Sequence, residues 1–332
     1  MSTDKSSATL SVIIPVYNVK NYLETAVDSI LNQTVMPSEV VIVDDGSTDG
    51  SGDMLEQLYG HIPFVRIVHT ENRGLGEARN EGNRHATGDY IYYFDSDDVA
   101  VPTLVESFYR HLAAYPALDI YCFSAASFWD VVPEDPEAAK LLPQYDRQLN
   151  QAYESGVSAF NILSERSAFY PNAWLYVFRR SLIVDNNLWF MPIIHEDEEF
   201  TPRLFFVAQQ VVSSTEVLFR RRVRMGSIMQ TNRSERNVIG YIESIRSLEA
   251  LKAQAQDSTV IKNLSTRILN NIIAIYRILK EDGVVLSEES SRRFNDLLER
   301  NSTPQVKLAG RSLFAFRVYN FAQRRAKQLF GS

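Results

Sequence analysis

Two stretches decide the fold of this chain: Val41-Ile42-Val43-Asp44-Asp45-Gly46-Ser47 and Tyr90-Ile91-Tyr92-Tyr93-Phe94-Asp95-Ser96-Asp97-Asp98. Each is a run of β-branched and aromatic residues, typical of a strand, that ends in carboxylates. Strands of this kind deliver their acidic residues to one edge of an open α/β sheet, where ligands bind. Carboxylates crowded at that edge repel one another, and a divalent cation that also binds phosphate oxygens would relieve the repulsion.

Strand and helix patterns alternate through the first 125 residues. The predicted strands are 10–17, 40–44, 64–69, 90–94 and 118–123. The predicted helices are one that Asn18 would cap, then 49–59, 75–86 and one with Pro102 in its first turn. This alternation predicts an α/β fold with a mostly parallel sheet flanked by helices.

The second half of the chain changes character. Residues 127–151 combine prolines with charges and are interpreted as a surface excursion, followed by a helix over 198–209 and a strand over 211–222. Beyond Val238 the sequence predicts helices almost throughout. We therefore expect a catalytic domain over residues 1–235 and a helical C-terminal region over 236–332.

Composition excludes several classes of protein. The single cysteine, Cys122, rules out an internal disulfide, fits a reducing compartment and is expected in the core. No signal peptide and no stretch of membrane-spanning length is visible, so we expect a cytoplasmic protein. The formal net charge of −7 argues against general nucleic-acid binding.

The last 26 residues differ in charge from the rest. They hold six basic and no acidic residues, so residues 1–306 carry a formal net charge of −13. Apolar residues are interleaved with them: Leu308, Leu313, Phe314, Phe316, Val318, Phe321 and Leu329. Such a helix could lie at the inner leaflet of the cell membrane, or it could pack on the acidic body with its charges paired internally.

Six ordered stretches closely resemble family 2 of the inverting glycosyltransferases. They are Val12-Ile13-Ile14-Pro15-Val16-Tyr17-Asn18, Val43-Asp44-Asp45-Gly46-Ser47-Thr48-Asp49, Glu71-Asn72-Arg73-Gly74-Leu75-Gly76-Glu77-Ala78-Arg79-Asn80, Phe94-Asp95-Ser96-Asp97-Asp98, Glu196-Asp197-Glu198-Glu199-Phe200 and Met225-Gly226-Ser227-Ile228-Met229. The resemblance implies the GT-A fold, a nucleotide diphosphate sugar as donor, with UDP the expected nucleotide, and a divalent metal, Mn²⁺ or Mg²⁺.

The resemblance also assigns the nucleotide pocket. It implies that Pro15 and Tyr17 contact the nucleotide. It also implies that Asp45 accepts a hydrogen bond from an N–H of the nucleotide base, with Asp44 supporting the loop. From the local sequence alone, Asp-Asp-Gly-Ser could equally be an Asx turn.

Asp95, Asp97 and Asp98 form an aspartate-any-aspartate motif. Hard oxygen ligands suit Mg²⁺ or Mn²⁺, whereas capping of the following helix would need only one carboxylate. By resemblance Asp97 is the direct metal ligand, and Asp95 contacts the ribose or the metal.

A glycine-rich stretch precedes this motif. It fails as a dinucleotide fingerprint because Arg79 occupies the third glycine position, which argues against a dinucleotide-dependent oxidoreductase. Arg79 at a helix N-terminus could serve the nucleotide, or it could be exposed or pair with Glu77 and Glu81.

The acidic stretch from Glu196 is not a zincin motif, because residue 199 is glutamate rather than a second histidine. The resemblance makes Asp197 the catalytic base and has Glu196 orient the loop or contact the acceptor. The alternative is an acidic helix N-terminus stabilised by the helix dipole. His195 is expected to pack or to hydrogen-bond.

Three further residues are candidates for acceptor or phosphate contacts. Arg222 and Arg224 end a basic run where family members place a segment that closes over the diphosphate. Trp174 could stack on a sugar or pack in the core.

These residues predict an inverting, hexosyltransferase-like enzyme that glycosylates a glycan or a lipid-linked acceptor. By resemblance its role is in bacterial surface polysaccharide synthesis. The alternative is a noncatalytic nucleotide-sugar-binding or scaffold protein on the same fold.

Overall fold

A computed structural model describes residues 8–224 and 233–330 of this chain. The strands are β1 (Leu10–Val16), β2 (Glu39–Asp44), β3 (Val65–His69), β4 (Tyr90–Tyr93), β5 (Val99–Ala100), β6 (Ile120–Trp129), β7 (Gln144–Tyr145), β8 (Gln151–Tyr153), β9 (Tyr176–Arg179) and β10 (Val211–Val223). The helices are α1 (Lys20–Leu31), α2 (Ser51–Tyr59), α3 (Leu75–His85), α4 (Leu104–Ala114), α5 (Pro136–Ala139), α6 (Gly156–Glu165), α7 (Ser181–Asp185), α8 (Glu196–Val207), α9 (Glu235–Gln254), α10 (Ser258–Lys280), α11 (Glu288–Arg300), α12 (Pro304–Arg311) and α13 (Leu313–Phe330), with a 3-10 turn at Ala173–Leu175.

The strands form one sheet in the order β3-β2-β1-β4-β9-β6-β10-β5, with β7 paired to β6 and β8 paired to β10. The first four strands in this order run parallel. Strand β9 is antiparallel to both β4 and β6, which makes the second half of the sheet mixed. The predicted α/β class with a central sheet and flanking helices is confirmed, and its parallel part is the four-strand half.

The core follows from the sequence pattern. Every residue of β1 is buried, as expected for a central strand covered on both faces. Helix α1 buries one stripe of apolar residues at helical spacing, Leu23, Ala26, Val27 and Ile30. Cys122 is buried and forms no disulfide, so the prediction that it packs in the core is confirmed.

One local prediction is wrong, and a second region contains more regular structure than its sequence pattern indicates. Asn18 does not cap α1, because its backbone is left-handed, with φ of 52°, and its side-chain oxygen accepts the N–H of Thr48 instead. The segment over residues 127–151 is mostly exposed or half-buried, as expected of a surface excursion, and it also contains the end of β6 and the short strands β7 and β8. Both short strands are stabilised by pairing with β6 and β10, which a local pattern of prolines and charges does not reveal.

Contacts divide the chain into two compact units. The sheet unit comprises Met1–Pro192 and Phe200–Gln230, and the helical unit comprises Ile193–Glu199 and Thr231–Ser332. In the helical unit, α10 buries the predicted stripe that includes Leu264, Ile268, Ile272 and Ile275. Within the described ranges, no helix is both long and apolar enough to cross a membrane.

Candidate functional site

One edge of the sheet brings together charged residues from four strands. Because β9 is antiparallel to both of its neighbours, β6 runs in the same direction as β4, and β10 runs parallel to β6. The carboxyl ends of these strands therefore meet at one edge. They bring Asp44, Asp95, Asp130 and Arg222 to that edge from β2, β4, β6 and β10.

Asp44 and Asp45 organise the loops that follow β2 and β3. Both are buried, and the two carboxylate oxygens of Asp45 accept the backbone N–H groups of Arg73 and Gly74 at 2.9 and 2.8 Å. One oxygen of Asp44 lies 3.0 Å from Nδ1 of His69. A carboxylate has about four acceptor positions, so Asp45 keeps capacity for the N–H of a base.

Pro15 and Tyr17 lie on either side of the end of β1. Pro15 is buried in the sheet opposite Val43, whereas the ring of Tyr17 is 48% exposed just beyond the strand. An exposed aromatic ring at this edge is suited to stacking against a nucleotide base.

Arg79 is a buried partner of Asp95. Its guanidinium is 2% exposed, and Nη2 donates to Oδ1 of Asp95 at 2.9 Å. It also lies over the rings of Tyr93 and Phe190. The alternative in which Arg79 is exposed is therefore wrong, and the buried guanidinium forms an ion pair with Asp95.

Asp97 accepts a side-chain hydrogen bond and Asp98 a backbone hydrogen bond from two arginines at the end of β10. Nε of Arg224 donates to Oδ2 of Asp97 at 2.9 Å, and the backbone N–H of Arg222 donates to Oδ1 of Asp98 at 2.6 Å. Burial and the charges of Asp97 and Asp95 raise the pKa of Asp98 well above its usual range. Burial, then the charge of Asp95, also raises the pKa of Asp97, although Arg224 opposes this shift. The edge thus has more negative charge than its arginines neutralise.

Two residues missed in the sequence complete this network. Asp130 accepts from Nη1 of Arg222 at 2.9 Å and from the hydroxyl of Tyr22 at 2.9 Å. The ring of Tyr22 also lies beneath the guanidinium groups of Arg222 and Arg224, 5.0 and 4.9 Å from its centroid. The missed signal was the length of β6, since a strand continued to Trp129 places Asp130 at the same edge as Asp44 and Asp95.

The acidic edge fits a metal that is shared with a substrate. Among the described residues no group of three or more His, Cys, Asp or Glu side chains could enclose a metal ion by itself. Mg²⁺ typically uses one or two carboxylates together with substrate phosphates, and the chemistry of Asp95 and Asp97 matches that requirement. These two side chains are each only 24% exposed, so a cation that they held would be partly shielded from water.

Trp174 is packed inside the sheet unit. It is 5% exposed and stacks on Phe219 with ring centroids 4.3 Å apart, while Tyr145 meets it edge-on at 4.9 Å. Its contacts are those of the core-packing alternative, and a sugar contact stays a prediction.

Asp197 and Glu196 lie in the first turn of α8, within the helical unit. The helix begins at Glu196, two residues before the predicted start, and four consecutive acidic residues occupy its first turn, where the helix dipole favours negative charge. Oδ1 of Asp197 accepts the backbone N–H of Glu198 at 2.8 Å. Glu196 is buried, whereas Asp197 is half-buried.

His195 packs against an aromatic ring, as predicted. Its backbone is left-handed with φ of 68°, and its ring stacks on Tyr241 with centroids 4.0 Å apart. Burial lowers the pKa of His195 to about 4, so the ring is neutral at physiological pH.

The structure therefore joins the predicted donor-side residues within the sheet unit and places Asp197 and Glu196 in the helical unit. The motif Met225-Gly226-Ser227-Ile228-Met229 lies outside the described residues.

Comparison with known proteins finds a family match over the first half of the chain. Residues 11–169 match the model of glycosyl transferase family 2. Glycosyltransferase GlyG of Streptococcus pneumoniae serotype 4 is 31% identical over 233 residues, which span 68% of this chain and 74% of GlyG. The chain spans less than two thirds of the length of several other curated relatives.

Solved structures share the fold. The crystal structure of S. aureus TarS 1-349 in complex with UDP-GlcNAc matches with a TM-score of 0.70 at 20% identity, over 96% of this chain and 92% of that one. Mannosyltransferase PcManGT from Pyrobaculum calidifontis, in complex with GDP-Man and Mn²⁺, matches with a TM-score of 0.53 at 16% identity, over 96% and 88% of the two chains.

Proposed function

This chain belongs to glycosyltransferase family 2, and we propose that it transfers a sugar from a UDP sugar, with inversion, to a hydroxyl of a glycan or a lipid-linked acceptor. The observation that carries the proposal is the edge where Asp97 accepts hydrogen bonds from Arg222 and Arg224 beside the ion pair of Asp95 with Arg79. Adjacent carboxylates and guanidinium groups suit a metal and a diphosphate bound side by side.

The donor would be recognised along the sheet edge. The exposed ring of Tyr17 would stack on the base beside Pro15, and Asp45 would accept a base N–H while Asp44 holds the loop. Arg79 would keep Asp95 oriented toward the ribose or the metal. The UDP-GlcNAc complex of the structurally similar TarS supports UDP as the nucleotide.

A Mn²⁺ or Mg²⁺ ion held by Asp97 and Asp95 would neutralise the charge that grows on the departing diphosphate. Arg222 and Arg224 would add donors to the diphosphate oxygens, because both side chains already lie at this edge. The Mn²⁺ complex of the structurally similar mannosyltransferase supports a metal of this type.

Asp197 would act as the general base. It would take the proton of the acceptor hydroxyl as that oxygen forms a bond to the anomeric carbon, and the bond from this carbon to the diphosphate would break with its electron pair leaving on the diphosphate. A single displacement inverts the configuration, so Asp197 is a base and not a nucleophile. Glu196 would orient the loop or contact the acceptor.

A donor panel tests this proposal. We would titrate UDP and GDP sugars into the protein with Mn²⁺ and follow binding by calorimetry and sugar release or transfer by NMR. We expect one UDP sugar to bind and to give a product of inverted anomeric configuration. Asp97→Ala should lose binding, whereas Asp53→Ala, which removes an exposed acid from α2, should not. Retention of configuration contradicts the mechanism, and binding without any transfer or hydrolysis across the panel favours the noncatalytic alternative.

The acceptor side of the proposal includes a membrane surface and a role in bacterial surface polysaccharide synthesis. On α13, Leu313 and Phe316 pack against Ile273 and Ala309 inside the helical unit. The opposite face is apolar and open to solvent, with Phe314 76%, Val318 53% and Phe321 64% exposed. Basic residues accompany this face and no acidic residue follows residue 306. An exposed apolar stripe among cations suits the surface of an anionic bilayer.

Liposome flotation of the full chain tests the membrane contact. We expect binding to anionic but not to neutral liposomes at low salt, with loss in the double variant Phe314→Ser, Phe321→Ser. Val285→Ser is the matched control, because Val285 is an exposed apolar residue of the helical unit, outside α13. If wild type and double variant float equally, or if neither floats, the membrane proposal is overturned. If instead the wild type self-associates and the double variant does not, the exposed apolar stripe binds a second copy of the chain.

A further inference from the structure

The first turn of α8 contains a carbonyl that the helix itself cannot satisfy. Pro202 lies inside α8 and has no N–H to donate to the carbonyl four residues earlier, that of Glu198. Oγ of Ser244, a fully buried residue of α9, donates to this carbonyl at 3.1 Å. Nδ2 of Asn271 on α10 donates in turn to Oγ of Ser244 at 3.1 Å. The gap left by the proline is thus filled by the C-terminal helices.

The side chain of the same glutamate is held as well. Nη2 of Arg267 on α10 donates to Oε2 of Glu198 at 2.5 Å, with the two side chains 14% and 25% exposed. Arg267 and Asn271 are four residues apart on α10 and therefore share one face of that helix. This face of α10 therefore contacts the side chain of Glu198 directly through Arg267. It contacts the backbone carbonyl of Glu198 indirectly, through Asn271 and Ser244.

The residues just before α8 are held by α9. Gly240 lies so close to the backbone of Ile194 that an added Cβ would be 1.8 Å from the carbonyl oxygen of Ile194. The next residue, Tyr241, stacks on the ring of His195. Gly240 and Ser244 are one helical turn apart, so one side of α9 contacts the chain both before and inside the first turn of α8.

From these contacts we infer that α9 and α10 form a positioning frame for Asp197, made of Gly240, Tyr241, Ser244, Arg267 and Asn271. The frame holds the residues on both sides of Asp197, so that the direction of its carboxylate is set by the C-terminal helices. The inference rests on the proposed role of Asp197 as the base, and it assigns the C-terminal helices a part in turnover. Its members are positioning residues, since they act through Asp197.

A double-mutant cycle between Arg267 and Asp197 tests the frame. Arg267→Met should lower kcat about 10-fold, because displacement of a base by a fraction of an ångström slows proton transfer, and should change the donor Kd less than about 2-fold. In the Asp197→Asn background the same change should cost less than about 2-fold, since the frame would have no base to position. Arg267→Lys, which keeps a cation beside Glu198, should recover part of the lost turnover.

The matched control is Arg300→Met. Arg300 forms an ion pair with Glu249 inside the same helical unit, with the closest nitrogen and oxygen 3.0 Å apart. Neither residue of this pair belongs to the frame. Its kcat should stay within about 2-fold of wild type. Equal losses from Arg267→Met in the wild-type and Asp197→Asn backgrounds overturn the frame while leaving the base intact. Near-normal transfer by Asp197→Asn alone refutes the base assignment and the frame together. Should Arg267→Met fail to fold, Ser244→Ala enters the same cycle with the same expected pattern.

Discussion

Arg224 donates from Nε to Oδ2 of Asp97 at 2.9 Å, so the carboxylate proposed to bind a divalent cation already has a guanidinium against it. The same guanidinium lies over the ring of Tyr22. A metal at Asp97 and Arg224 at Asp97 would therefore compete for one oxygen, and the arginine would be released toward the diphosphate.

This competition predicts opposite effects of Arg224→Gln on two ligands. Without nucleotide, the variant should bind Mn²⁺ about 3- to 10-fold more tightly. The reason is that the metal no longer has to displace a partly buried ion pair that contributes about 1 kcal/mol. It should bind the nucleotide sugar more weakly, since a phosphate contact is lost. Calorimetry with Mn²⁺ alone and then with donor measures both quantities. Arg220→Gln is the control, because it removes the same charge from an exposed residue four positions before Arg224. Weaker Mn²⁺ binding in Arg224→Gln would contradict the competition.

Chelation should abolish activity. EDTA should remove transfer completely, and Mn²⁺ or Mg²⁺ should restore it, because without a cation the carboxylates of Asp95 and Asp97 would repel the diphosphate. The measurement is initial rate before chelation, after exhaustive chelation and after metal is added back. Full activity after exhaustive chelation would show that the arginines suffice without a metal.

Replacement of the base should separate binding from chemistry. We expect Asp197→Asn to fold and to bind the donor normally, yet to transfer at least ~100-fold more slowly, in the lower range for a positioned base. Calorimetry beside an activity assay checks both quantities. Turnover close to wild type would move the base elsewhere, and Glu196 in the same helical turn is the next candidate.

His195 should make stability depend on pH. Burial lowers its pKa to about 4, with Glu198 opposing and Arg233 reinforcing the shift, whereas an unfolded histidine titrates near about 6.5. The unfolded chain therefore gains a proton between these values before the folded chain does. The contribution of His195 to the free energy of unfolding is fully present above about pH 6.5 and is lost as pH falls toward 4.

Between pH 7 and pH 5 this loss amounts to about 2 kcal/mol at most. Urea unfolding at both pH values should show a smaller difference for His195→Phe than for wild type, while His61→Phe, which changes an exposed histidine of the sheet unit, should leave the difference unchanged. For each protein the comparison uses the difference in free energy of unfolding between the two pH values, so any pH-independent effect of the substitution on stability cancels. An identical pH difference in wild type and His195→Phe would refute the assignment.

Much of the sheet was predictable because its strands carry strong local signals. Buried runs of β-branched and aromatic residues identified β1, β2 and β4 to within about one residue, and the aspartates that follow them pointed to the ligand-binding edge. Strand β5 was not predictable, since two residues hold no pattern and it exists only by pairing with β10.

The partners of the site residues could not be predicted in the same way. Arg222 pairs with Asp130 and Arg224 with Asp97, across separations of 92 and 127 residues that no local periodicity encodes. Arg79 illustrates the same limit, because the sequence left open whether it serves the nucleotide, is exposed or pairs with Glu77 and Glu81, and the ion pair with Asp95 appears only in the structure. The sequence thus predicted which residues gather at the edge better than it predicted how they pair.

Pro202 has a consequence for how this gene could be recombined with those of its relatives. A cut near residue 235 looks natural on sequence grounds, yet it would pair Glu198 of one parent with Ser244 and Arg267 of another. A hybrid that inherits the proline without the serine would leave a helix carbonyl unpaired. Viable hybrids should therefore inherit residues 193–202 and the C-terminal helices from the same parent.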